Sequence, residues 1–225
     1  SRDPFLALEL HKGLNKELSS HSPLTPNLKI IKQKLNSLMA EEALFISKWY
    51  QYEQEDKLKA YEYLSLSKKY VPNNYSTFLF ESILIFVNKK QPQDALVVVN
   101  KAGKYSKRDG TWRYNKAFLL MYLERFDEAI KTLKLIRQNS YIDEGHTLQQ
   151  VYDFISNILN AEPEKLQLYY IMGFLKYKKS NNVPAAYLIF EKFIKNAKTS
   201  MKYNSLIIRA ESYISELEKE MELKR

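Results

Sequence analysis

The chain contains no cysteine. Disulfides, cysteine-zinc sites and thiol nucleophiles are therefore excluded together, while the redox compartment is left open. Glycine and proline are scarce, 5 and 7 in 225 residues, so little interrupts a helix. Hairpin signals are lacking: Asn-Gly and Gly-Gly do not occur, and Asp109-Gly110 is not flanked by alternating strands. No apolar run approaches the roughly 18 residues of a membrane span; Ser82 to Val87, for example, stops at Asn88-Lys89-Lys90. There is no glycine-rich phosphate loop. The histidines, His11, His21 and His146, are far apart, and none sits in a zinc-type or nucleophile-type motif. The cluster Asp143-Glu144-Gly145-His146 stands just before a helix start, where acidic residues suit the helix dipole better than a metal. These absences predict a soluble, all-α, non-enzymatic chain with no cofactor, no metal and no membrane span.

What is present supports an ordered core. Hydrophobic residues make up 45% and aromatics 13%, too many for a disordered chain. The net charge of +9 comes mainly from lysines, densest at Lys101 to Arg108, Lys176 to Lys179 and Lys192 to Lys202. Scattered along helices, they read first as solvated faces and only second as a nucleic-acid or acidic-protein surface.

Asp3-Pro4 signals a helix start, and Phe5, Leu8, Leu14 and Leu18 share one side of a helix to about Leu18. The turn-rich Ser19 to Pro26 sets this helix apart, so it is expected to dock loosely or swing. Thr25-Pro26 repeats the start signal, and Leu28, Ile31, Leu35 and Leu38 follow in a helix expected to run past Ala40. The clearest pattern is Gly110 to Gln138: a first helix, Trp112 to Leu123, and a second, Asp127 to Arg137, with Ala129, Ile130, Leu133 and Ile136 on one side. Such a pair cannot bury its faces alone and needs similar pairs stacked against it. Its second-helix alanine recurs at Ala60, Ala95, Ala129 and Ala186, with gaps of 35, 34 and 57.

A period of 34 with these residues resembles the tetratricopeptide repeat. Ala43, Ile46, Ser47 and Tyr50 match its first-helix positions, and Ala60, Leu64 and Pro72 its second. Tyr169, Met172 and Gly173 stand at the aromatic, leucine and glycine positions, with Ala186 and Phe190 following. The run Arg125 to Ile130 is characteristic of the family. The resemblance covers about Glu41 to Ala197. The gap of 57 exceeds one period by 23, about one helix, which the capping box Thr147 to Gln150 opens, so either one extra helix sits between the third and last pairs or one pair has lost a helix. The resemblance implies a right-handed superhelix of antiparallel helix pairs: flanking helices over 1–40, repeats over 41–197 with an extra helix near 146–160, and a capping helix over 198–225.

In this family the first helices line the concave face, so the resemblance implies a protein-interaction scaffold with an aromatic groove. Trp49, Phe80, Tyr114, Asn115, Phe118, Tyr122, Tyr170, Phe174 and Tyr177 are its candidate residues, able to anchor a peptide or helix of a protein partner. The bland alternative is that these rings pack between helices, or that the N-terminal helices fold back and fill the groove. The carboxylate clamp of chaperone-tail binders is lacking, since Lys48 is followed four on by Tyr52 and Arg113 by Ala117. An RNA-binding repeat ranks second, and a non-catalytic appendage of a larger enzyme third. The chain opens on Ser1 and shows no signal peptide, so a cytoplasmic location is expected, with a periplasmic or extracytoplasmic one the alternative if a leader was removed.

Overall fold

Asp3 opens the first helix by accepting from the backbone N–H of Phe5 at 2.9 Å and of Leu6 at 3.3 Å, the cap that Asp3-Pro4 predicts. The computed structural model describes residues 3–20, 23–105, 111–136 and 148–222. The helices are α1 (Pro4–Ser20), α2 (Pro26–Tyr52), α3 (Lys57–Tyr70), α4 (Tyr75–Lys89), α5 (Pro92–Tyr105), α6 (Thr111–Tyr122), α7 (Phe126–Lys134), α8 (Leu148–Ala161), α9 (Gln167–Lys178), α10 (Val183–Ala197) and α11 (Asn204–Glu222). Among the described residues every regular element is helical. None of these helices is long and apolar enough to cross a membrane. Gly110, the cluster Asp143 to His146 and the cap residue Thr147 lie outside the described residues. The chain forms two compact units, residues 1–106 and 107–225.

In the first unit α2 pairs with α3, and α4 with α5. α2 is one continuous helix across Ala40, capped by Thr25, whose Oγ1 accepts from Leu28 N–H. One core gathers Leu8, Leu35, Met39, Ala43 and Ile46, with Phe5, Tyr50 and Tyr63 packed against it. A second gathers Leu44, Ala60, Leu64, Phe80 and Leu84. Buried hydroxyls tie three helices together: Ser67 Oγ donates to the Ala40 carbonyl at 2.8 Å and meets Thr77 Oγ1 at 3.0 Å. The expectation of a loose α1 is corrected here. Leu8 is 1% exposed, Phe5 stands edge-on to Trp49, Tyr50 and Tyr63, and His11 Nδ1 meets Glu42 Oε2 at 2.8 Å. α1 is thus docked on α2 and α3.

In the second unit α6 pairs with α7 and α9 with α10, α6 and α9 adjoin, and α11 packs on α10 and α9. α7 ends at Lys134, so Ile136 falls past the helix on which its spacing placed it. Between the α6–α7 and α9–α10 pairs in the chain stands α8.

All four pairs turn in the same way. Each turn holds one non-glycine residue in the left-handed region: Glu55 (φ 52°), Lys90 (φ 56°), Glu124 (φ 63°) and Asn181 (φ 47°). Each stands five residues before the second-helix alanine, so the turns keep the same spacing as the alanines. Those alanines are fully buried, and so is the small first-helix residue seven or eight positions before each turn residue: Ser47, Ser82, Ala117 and Gly173. Ser47 Oγ donates to the Ala60 carbonyl, so in the first pair the small residue and the alanine meet where the helices cross. The fold is thus an all-α helical repeat of antiparallel helix pairs. The left-handed backbone costs an L-residue roughly 1–2 kcal/mol, while glycine adopts it freely at some entropic cost. Lys90→Gly is therefore expected to raise stability by up to about 1 kcal/mol, and a lowered urea midpoint would contradict it.

Candidate protein-interaction surface

The nine candidate residues fall into separate sets within each unit. In the first unit, Trp49 is half-buried, its ring 5.5 Å from Phe5 of α1. Phe80 is 2% exposed and lies beneath Tyr52, with ring centroids 6.0 Å apart, and Lys48, whose Nζ is 5.9 Å from its centre. Beside them Gln51 and Asn88 exchange side-chain amide hydrogen bonds at 2.8 and 3.3 Å. This seam between α2 and α4 leaves Tyr52 51% exposed.

In the second unit α6 carries Tyr114, Asn115, Phe118 and Tyr122, all half-buried. Phe118 lies 5.5 Å from Phe154 of α8. Tyr122 Oη donates to Glu162 Oε2 at 2.6 Å, and Lys165 Nζ stands 4.4 Å from its ring centre. Burial, and then the Glu162 carboxylate, pushes the Tyr122 phenol well above its ordinary pKa. Lys179 stands over the Tyr114 ring, and burial lowers its pKa.

On α9 the expected groove residues are interior. Tyr170, Phe174 and Tyr177 are at most 8% exposed, because Tyr213 of α11 inserts among them with ring distances of 6.4, 6.1 and 5.9 Å. Tyr177 Oη donates to Glu220 Oε1 at 2.6 Å, and burial followed by that carboxylate raises its pKa. Phe80, Tyr170, Phe174 and Tyr177 therefore hold this chain's own helices together and do not face solvent. Spacing alone does not reveal Tyr213, Phe154, Glu162 and Glu220. The two glutamates lie in charged stretches that read as solvated, and only the tyrosines opposite them give them a role.

Among the described residues no group of three or more His, Asp or Glu gathers closely enough to hold a metal ion. Lysines are partly committed to rings: Lys176 lies 3.7 Å from the Tyr152 ring centre and Lys178 3.6 Å from that of Tyr177. Part of the positive charge excess thus rests on the protein's own aromatic faces.

No family model and no curated protein matches the chain. Among solved structures it is similar to MamA 41-end from Desulfovibrio magneticus RS-1, at 17% identity over 83% of this chain and 95% of that one, with a TM-score of 0.41.

Proposed function

We propose that the protein is a non-enzymatic protein-interaction scaffold of divergent tetratricopeptide repeats, binding a helical or extended segment of a partner on its first-helix faces. One observation carries this reading: in the second unit those faces already receive helices of the same chain, α8 on α6 and α11 on α9. Each is held by an aromatic contact and a tyrosine hydroxyl on a carboxylate. The α2–α4 seam offers the same elements, Lys48, Tyr52 and Phe80, with the Gln51–Asn88 amides beside them. A segment bearing an apolar anchor next to a carboxylate suits it. Trp49, Tyr114, Asn115, Phe118 and Tyr122 keep partial exposure and belong to the proposed surface of their own unit. The buried Phe80, Tyr170, Phe174 and Tyr177 support it from beneath.

A photo-crosslinking residue at Tyr52 in the native cell is expected to give discrete protein adducts. The same residue at Leu188, on a second helix and 63% exposed, is expected to give none. Equal labelling at both sites would remove the seam as the binding surface. The RNA reading needs ring faces for bases to stack on, and several of those faces lie under lysines. Salt-sensitive, saturable binding of single-stranded RNA, lost on Tyr52→Ala, would favour it instead.

A further inference from the structure

Half of the large hydrophobic side chains left exposed among the described residues, eight of sixteen, lie on α1 and α2. Three of them, Ile31, Leu38 and Phe45, are spaced seven apart on α2 and are 50%, 39% and 58% exposed. A repeat of seven on a helix is a seam for another helix. Along one margin of this seam lies α1, whose His11 meets Glu42 of α2. Along the other margin run Lys34, Glu41 and Lys48, again seven apart. The three apolar side chains offer on the order of 300 Å² of apolar surface, the size of a large exposed patch on a monomer and an apolar centre for the roughly 800 Å² each member of a stable pair buries.

We infer that this face of α2 pairs with the same face of a second copy of the chain, the two helices antiparallel about a two-fold axis at Leu38. The sequence selects this register. A two-fold there sets Leu38 against Leu38 of the second copy and Ile31 against its Phe45. In an antiparallel pair each margin faces the same margin of the other helix, so Lys34 comes alongside Glu41 of the second copy, twice by symmetry. A parallel pair would set this margin against the opposite margin of the second copy, where α1 lies, and would leave Lys34 and Glu41 without each other. Centring the antiparallel pair on Glu41 would set Lys34 against Lys48. Neither alternative joins Lys34 to Glu41, and the second sets like charges together. The interface is isologous and closed, as two-fold contacts are. Ile31, Leu38, Phe45 and the Lys34–Glu41 pair lie outside the α2–α4 seam of the proposed function, and none of the variants below alters Lys48, the one residue on both, so the two readings are tested separately.

Sedimentation equilibrium of the full chain is expected to give twice the 26.6 kDa monomer mass at tens of micromolar. Leu38→Asp places two carboxylates on the axis and is expected to weaken dimerisation at least 100-fold, with circular dichroism and melting temperature of the monomer unchanged. Lys34→Glu is expected to weaken it at least tenfold, and adding Glu41→Lys to restore it. A monomer at all concentrations would assign the face to another partner and overturn the inference. So would a dimer indifferent to Leu38→Asp, or a charge swap that restores nothing.

Discussion

Phe190→Ala is expected to destabilise the second unit by about 3–5 kcal/mol, the cost of removing a fully buried ring whose surroundings relax only in part. Phe190 is 0% exposed. Its ring stacks on Tyr213 at 5.4 Å with planes 17° apart and meets the edge of Tyr170 at 5.7 Å. It thus joins α10 to both α9 and α11, and the cavity would open where all three meet. The tyrosines beside it can shift little, since Tyr170 also packs on Phe193 and Tyr213 also on Phe174 and Tyr177. The two tryptophans make the test specific, because Trp49 lies in the first unit and Trp112 in the second. In a Trp49→Phe background, urea unfolding followed by Trp112 fluorescence should shift to a lower midpoint. In a Trp112→Phe background, the Trp49 transition should stay where it was. A loss below 1 kcal/mol would mean that the ring is not the junction of these helices.

The repeat was legible in the sequence because it rests on a steric requirement. Where two helices cross closely only a small side chain fits, and Ala60, Ala95, Ala129 and Ala186 are all fully buried. The left-handed turn residues keep the same period yet were not legible. Glu55, Lys90 and Glu124 are not types that favour positive φ, and only Asn181 is. The site was legible in part. Aromatics four apart on a first helix look alike whether they line a groove or pack beneath another helix. For Tyr170, Phe174 and Tyr177 the deciding contact is Tyr213, a side chain distant in sequence. For Trp49 it is Phe5 of a helix whose linker reads as a loose hinge. Local pattern thus gave the elements and their order, and non-local packing decided which rings remain at the surface.

Two glycine-to-alanine changes should act in opposite directions, although both sites are helical. At Gly13 an added Cβ meets nothing within 4 Å, so Gly13→Ala should show only the propensity gain of about 0.5–1 kcal/mol. At Gly173 the same methyl would stand 2.8 to 2.9 Å from three atoms of the Phe190 ring, closer than real contacts of this kind allow. The ring is held by Tyr170 and Tyr213, so overpacking of about 1–3 kcal/mol outweighs the propensity gain and Gly173→Ala should be destabilising. If the clash is the cause, a smaller partner should relieve it. In the double variant Gly173→Ala/Phe190→Leu the new methyl occupies space vacated by the ring, and the loss should be less than the sum of the two single losses. Additive losses would show that Gly173 is required for its backbone and not for the room it leaves Phe190. A Gly173→Ala variant as stable as the parent would show that α9 and α10 cross less closely than the small residue at this position of each pair implies.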